Sequence, residues 1–388
     1  MNNHELSELS LTNNKPNVDI VCLSHLRWDF VYQRPQHLMS RFARQQRVFF
    51  VEEPIFTDDT TRLEISQRED KLSVIVPHIS NLDRETQTVG EIQRDLLDQL
   101  FYDQQIKQFV LWLYTPMAMS FASHLQPEVT VYDCMDELSA FKFASPEVLE
   151  NEQKLFKKAD LVFTGGLSLY EAKKDRHERV FAFPSSIDVE HFRRARENTK
   201  EPEDQKSIAH PRFGYCGVID ERINLSLLEE AADLRPLWQF IMIGPVVKIS
   251  DQDLPQRANI HYLGSKNYQE LPAYMTAWDV ALMPFALNES TKFISPTKTP
   301  EYLAAGKSVV STPVRDVVRA YGEAGLVHIA STAEEFVTAC EKALQENAPE
   351  RMAKADEFLA KNSWEKTWAE MQKLILEEID KGIKLASA

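Results

Sequence analysis

No stretch of the 388 residues reaches the roughly 20 apolar side chains that a membrane-spanning helix needs. The opening MNNHELSELSLTNNKPN carries no apolar core of a secretory leader, so the expectation is a cytoplasmic protein, at most at the inner face of the membrane. Cysteine is scarce: Cys22, Cys134, Cys216 and Cys340 stand far apart, with no CxxC pair and no Cys/His spacing of a zinc site. Three of them lie in apolar runs, which reads as buried free thiols in a reducing compartment. Basic charge does not dominate. The net charge of −15 argues against a general nucleic-acid binder, because a phosphate backbone rewards a basic face. A dinucleotide GxGxxG is missing as well, and FTGG at Gly165 and Gly166 reads as a turn.

What is present is a soluble composition, 43% apolar and 27% charged, in a chain long enough for two domains. VDIVCLS, RPQHLMSRFARQQ and RVFFVEEP read as strand, helix and strand, a βαβ unit with Pro35 in the first turn of the helix. The alternation continues through LSVIVP, FVLWLY, VTVYDCMDE and DLVFTGG, then SLYEAKKDRH with Ser168 as N-cap. It restarts at RFGYCGVI. Residues 1–16 are expected to be disordered, 17–192 and 212–362 to be two α/β domains with parallel sheets, and 193–211 to be a charged, proline-bounded linker. The last segment, 363–388, is expected to be a helix crossing back to the first domain. Two such domains make a central cleft, and ligands of parallel sheets bind outside the carboxyl ends of the strands.

RFGYCGVIDERINLSLLEEAA, ANIHYLGSKNYQELPAYMTAWDVALMPF and SPTKTPEYLAAGKSVVSTPV resemble the nucleotide-binding half of a GT-B glycosyltransferase of the family 4-like group, in particular its bacterial envelope and teichuronic-type members. HLRWDFVYQRPQHLMSRFA, VYDCMDELSAF and FPSSIDVEHF resemble the rest of the same group, and the resemblance runs from about Asp19 to Ile379. It implies two Rossmann-like domains facing a cleft, a nucleotide-sugar donor on the second and an acceptor on the first. It implies neither a metal nor a cofactor, and a pyrophosphate held by basic side chains and helix starts.

In SPTKTPEYLAAGKSVV, Glu301 would accept from the ribose hydroxyls and Lys298 would lie beside the diphosphate. Thr297 and Thr299 would donate to phosphate, and Gly306 would end the helix. Ordinary capping by Thr297 and dipole complementation by Glu301 are also open. In GYCGVIDERINLSLL, Gly214 and Gly217 would turn the backbone beside a phosphate, and Arg222 would stabilise the departing diphosphate. The other reading of Asp220, Glu221 and Arg222 is a solvated loop. Two departures from the family pattern stand out: Phe293 replaces the first glutamate of its pair, and Val218 replaces the basic residue after the glycine.

Asp133, Asp136 and Glu137 follow a strand in the first half. One could deprotonate an acceptor hydroxyl, which implies inversion, or all could bind sugar hydroxyls, which fits a retaining front-face reaction; capping by Asp136 or Ser139 is the remaining reading. His25, Arg27, Trp28, Asp29, Arg34 and His37 form a dense polar-aromatic set that reads as acceptor-binding, with Trp28 and Tyr32 stacking on a sugar face, Arg27 and Arg34 meeting phosphate, and Glu137 as a further acceptor-binding candidate; the other reading is a loop packing contact for each, and a helix-surface position for His37. Gly264, Lys266 and Tyr268 would lie against the nucleobase, with Gly244 and Pro245 at the cleft. Arg34, Arg41, Arg44 and Arg47 could touch anionic lipid if the acceptor is lipid-linked, or form a solvated helix face.

Together these give a glycosyltransferase using a nucleotide-sugar, most simply a UDP-sugar, on a glycan or lipid-linked acceptor for envelope or exopolysaccharide assembly. Its expected partners are those two substrates and, peripherally, a membrane, but no nucleic acid. A nucleotide-sugar 2-epimerase and a catalytically degenerate sugar-nucleotide-binding protein are the alternatives.

Overall fold

The computed structural model describes residues 18–142, 144–197 and 200–386, so the N-terminal stretch expected to be disordered lies outside the described residues. Short apolar runs become buried parallel strands because helices cover both faces of the sheet. The strands of the first domain are β1 (Asp19–Leu23), β2 (Val48–Val51), β3 (Ile55–Thr57), β4 (Arg62–Glu69), β5 (Leu72–Ser80), β6 (Phe109–Leu113), β7 (Val129–Cys134), β8 (Leu161–Thr164) and β9 (Val180–Ala182). Their order is β3-β5-β2-β1-β6-β7-β8-β9, with β4 antiparallel on β5. β3 and β4 escape a reading based on hydrophobic runs. β4, RLEISQRE, is mostly solvent-exposed and is held by backbone pairing along β5.

The second sheet is β10 (Arg212–Cys216), β11 (Gln239–Ile243), β12 (Ile260–Gly264), β13 (Val280–Met283), β14 (Ser308–Ser311) and β15 (His328–Ile329). It runs β12-β11-β10-β13-β14-β15, wholly parallel. Strand order reverses direction at β1 in one sheet and at β10 in the other, so the crevices open at the carboxyl ends of those two strands. The four cysteines are buried free thiols.

The described residues of the expected linker, 193–197 and 200–211, pack onto the second domain. Ala195 lies in its apolar core with Ile187 and Phe192, Arg196 pairs with Asp356 at 2.8 Å, and buried Gln205 accepts from Trp278 Nε1 at 2.9 Å. Ala195 and Gln205 of that segment face inward, while Ser207 and Ala209 stay exposed. The helix Trp364–Ala386 returns to the first domain, where Trp364, Met371, Ile375 and Ile379 complete the core beneath β1 and β6. The helix Leu167–Lys173 is capped at Gly166, not Ser168. The Ser168 hydroxyl instead donates to Asp316 of the second domain. No helix among the described residues is long and apolar enough to cross a membrane.

Candidate active site

The two crevices face each other and enclose two adjoining hollows. One, with an empty volume of about 840 Å³, is lined by Tyr32, Arg34, Asp136, Gly217, Arg222 and Lys298 among others. The wider, about 1300 Å³, is lined by Trp28, Asp29, Gly244, Pro245, Lys266 and Tyr268. Tyr32, Gly217 and Lys298 border both.

Lys298 opens the helix Lys298–Ala304, which the Tyr302 hydroxyl ties to the end of β10 through the Cys216 N–H at 2.8 Å. Its ammonium sits 2.8 Å from Glu301, and both side chains are nearly buried. Burial opposes the Lys298 charge, but Glu301 more than offsets this and raises its pKa, so the ammonium persists. Burial pushes the Glu301 carboxyl up, against Lys298. Glu301 lies behind Lys298 and lines neither hollow. Thr297 borders the cleft without a side-chain cap bond. Thr299 does not reach it: the side chain is fully buried and its hydroxyl meets Met283 Sδ at 3.2 Å, because the first turn presents that position to the core. Gly306 ends the helix at φ +75°, its N–H donating to Leu303 O.

Gly217 and Gly244 bring two strand ends into contact. A Cβ on Gly244 would stand 1.9 Å from the Gly217 carbonyl oxygen. Gly214 serves another purpose than the one expected of it: a Cβ there would collide with the Trp278 ring at 2.0 Å, so it seats an indole within the sheet packing. Gly264 lines neither hollow, although its carbonyl accepts from the Gly244 N–H at 2.9 Å. Arg222 projects into the cleft with its guanidinium held by Asp220, Nε at 2.9 Å from one oxygen and Nη2 at 2.7 Å from the other. Asp220 is itself buried, so the triplet is a built support for one cation and not a solvated loop. Burial opposes that charge, and Asp220 raises the pKa above the ordinary arginine value.

The three acids after β7 separate cleanly. Asp133 is fully buried and chelated by Arg34, Nε at 3.0 Å and Nη2 at 2.8 Å, so it supports the cleft from below and cannot serve as a base. Arg34 also donates to Phe183 O at 2.7 Å, which makes it a structural anchor that merely shows one edge to the cleft. Glu137 turns away to Lys173 at 2.7 Å and to the Ser139 hydroxyl at 2.7 Å. Asp136 alone lines the cleft. Burial raises its pKa, with Arg222, Lys248 and Arg34 pulling the other way.

In the loop after β1, Trp28 and Asp29 border the wider hollow. Arg27 does not; it pairs with Glu52 at 2.8 Å. His25 is largely buried, which lowers its pKa to about 4. Tyr32 stacks on Tyr268 at 4.4 Å, and Tyr268 stacks on His191 at 4.2 Å with the rings 6° from parallel. With two rings stacked on it, Tyr268 has no face for a nucleobase. It is a rung of an interdomain column. His37, buried and not on the surface, stacks on Trp364 at 4.6 Å. Arg34, Arg41, Arg44 and Arg47 pair with Asp133, Glu365, Glu365 and Asp19 respectively, so that helix offers anionic lipid no stripe of unpaired cations.

Sequence reasoning missed Lys248. Its backbone is left-handed at φ +63°, and its ammonium lies 4.5 Å from the Phe141 ring of the other domain. No local pattern marks a contact between residues so far apart in the chain.

Residues 210–346 match the family model described as glycosyl transferases group 1. These residues form a glycosyl transferases group 1 domain. The domain holds Gly217, Arg222, Gly244 and Lys298, the second-domain contribution to the cleft. A Bacillus subtilis (strain 168) protein named as a teichuronic acid biosynthesis glycosyltransferase, TuaH, is 25% identical over 261 residues. The match spans 62% of this chain and 64% of that protein, a little under two thirds. Sucrose-phosphate synthase from Thermosynechococcus elongatus superposes with a TM-score of 0.69 at 13% identity, covering 93% of this chain and 98% of that one. A trehalose-6-phosphate structure from E. coli bound with UDP-2-fluoro glucose superposes at 0.66 and 13% identity, covering 92% and 98%. A UDP-forming trehalose-phosphate synthase from Burkholderia xenovorans, in complex with glucose-6-phosphate, gives 0.65 at 11% identity, covering 92% and 100%. The whole-chain fold is GT-B.

Proposed function

We propose that this protein transfers a sugar from a nucleotide-sugar, of the UDP class, to a hydroxyl of a glycan or glycolipid acceptor in envelope polysaccharide assembly. The observation that carries the reading is the convergence of Lys298, Arg222 and Gly217 at the carboxyl end of β10, inside a glycosyl transferases group 1 domain. The printed role of TuaH in teichuronic acid biosynthesis supports the assembly setting, and the structural relative bound with UDP-2-fluoro glucose supports the base.

In this reading the bond between the anomeric carbon and the diphosphate breaks as the acceptor oxygen bonds to that carbon. Lys298 and Arg222 would stabilise the charge that gathers on the departing diphosphate, and their buried carboxylate supports keep both cations fixed before substrate arrives. Asp136 would orient the acceptor hydroxyl. Glu301 would reach the ribose hydroxyls once Lys298 swings toward the phosphates. No metal or organic cofactor is assigned a role.

Thermal unfolding with UDP, GDP, ADP and dTDP, on wild type and Glu301→Ala, tests this. A nucleotide at 100 times its Kd adds about 2.7 kcal/mol of stability. The expected result is stabilisation of the wild type by UDP and its loss in Glu301→Ala. Absence of any nucleotide effect on the wild type overturns the proposal.

A further inference from the structure

The first domain contains a third hollow, of about 1600 Å³ empty volume, that shares no residue with the cleft and is lined only by residues before position 148. It lies at the carboxyl ends of β1, β2 and β6, reaching Ser24, Glu52 and Thr115, and is closed by the start of the helix Val89–Asp103. That is the edge of a parallel sheet where ligands settle. We infer that it is a second carbohydrate subsite, holding the non-reacting residues of an uncharged glycan acceptor; this rests on the glycosyltransferase reading.

Its chemistry suits neutral sugar. Aromatic faces pack on the apolar side of a pyranose, and carboxylates and amides accept and donate to its hydroxyls. Phe56 and Phe121 supply rings. Phe56 is 47% exposed, and the Arg84 guanidinium lies 4.0 Å from its centre, which fixes it as a platform. Glu53 and Gln93 supply polar groups. Anions fit poorly. Among the described residues that line the hollow, four are glutamates, Glu52, Glu53, Glu91 and Glu147, and one, Arg94, is a cation. The helix start offers no anion site either, because Thr88 and Glu91 cap each other there.

The hollow also touches the cleft's machinery. Glu52 accepts from Arg27 at 2.8 Å and from the Trp28 N–H at 2.7 Å, so one wall of the hollow anchors the loop whose Trp28, Asp29 and Tyr32 border the cleft. A chain seated in the hollow lies directly behind that loop.

Titration calorimetry of the full chain with maltohexaose, chitohexaose and hexagalacturonate tests the inference, alongside UDP. At least one neutral hexasaccharide is expected to bind at least about tenfold more tightly than the uronate. Phe56→Ala/Gln93→Ala should weaken that binding by about tenfold and leave UDP affinity unchanged, while Lys298→Ala leaves the hexasaccharide untouched. Failure of both neutral chains to bind overturns the subsite. So does uronate binding of equal strength, or hexasaccharide binding lost in Lys298→Ala but kept in the double variant. A protein that binds the neutral chain but no UDP would instead sink the glycosyltransferase reading and leave the subsite standing.

Discussion

Asp133 and Asp136 stand three residues apart and do opposite work. The first is locked to Arg34 under the cleft; the second faces the space where substrates meet. Asp133→Asn strands a buried guanidinium, so it should cost about 3–5 kcal/mol in urea unfolding. Asp136→Asn should stay within about 0.5 kcal/mol of the wild type and instead lower transfer. A common outcome for both variants would contradict this division. His25 gives a pH signature. Its folded pKa, about 4, lies below the ordinary histidine value of about 6.5. The unfolded chain therefore binds the extra proton between those limits. The contribution to stability is full above the unfolded value and is lost as pH falls toward the folded one. Denaturation midpoints of His25→Asn should fall less steeply than those of the wild type across that window.

The strand ends decide how close the backbone comes to a ligand. Gly244 at φ +144° lets the turn after β11 rest against Gly217. Gly244→Ala should lose about 1–3 kcal/mol in thermal unfolding, because its methyl meets a backbone oxygen that has no room to retreat. Much of this level was legible in the chain. Apolar runs ending in polar residues located β1, β7, β10 and β13, and with them Lys298, Arg222 and Asp136 at the cleft. What local pattern missed were elements without an apolar run of their own. β4 exists through pairing with β5, and the helix Ala348–Leu359 buries little beyond Ala355 and Leu359. Tyr268 borders the wider hollow, but Tyr32 and His191 stack on its ring: an aromatic after a strand looks available until its neighbours are known.

At the scale of the whole molecule, the domains meet through specific contacts as well as through substrate. Tyr32 on Tyr268, Ser168 on Asp316, and Glu171 on Arg315 and Arg319 all cross the boundary. The helix Trp364–Ala386 spans it covalently, and Trp364 continues the aromatic contacts through His37. Tyr32→Ala should widen the cleft. Small-angle scattering should show a larger radius of gyration, and transfer should slow while nucleotide affinity is kept. An unchanged radius with lost nucleotide binding would place Tyr32 in the donor site instead.

The sequence by itself determined the two α/β domains, the sheet class and the positions where the cleft would find its cations, because hydrophobic period and the residues after each strand are local properties of the chain. Only the tertiary structure decided which charges remain free. Arg34 is neutralised by an acid 99 positions away, Tyr268 is covered by Tyr32 and His191, and the basic helix near the N-terminus is quenched by Glu365 at the far end. Pairing of this kind depends on distance in space, and no period in the sequence encodes it.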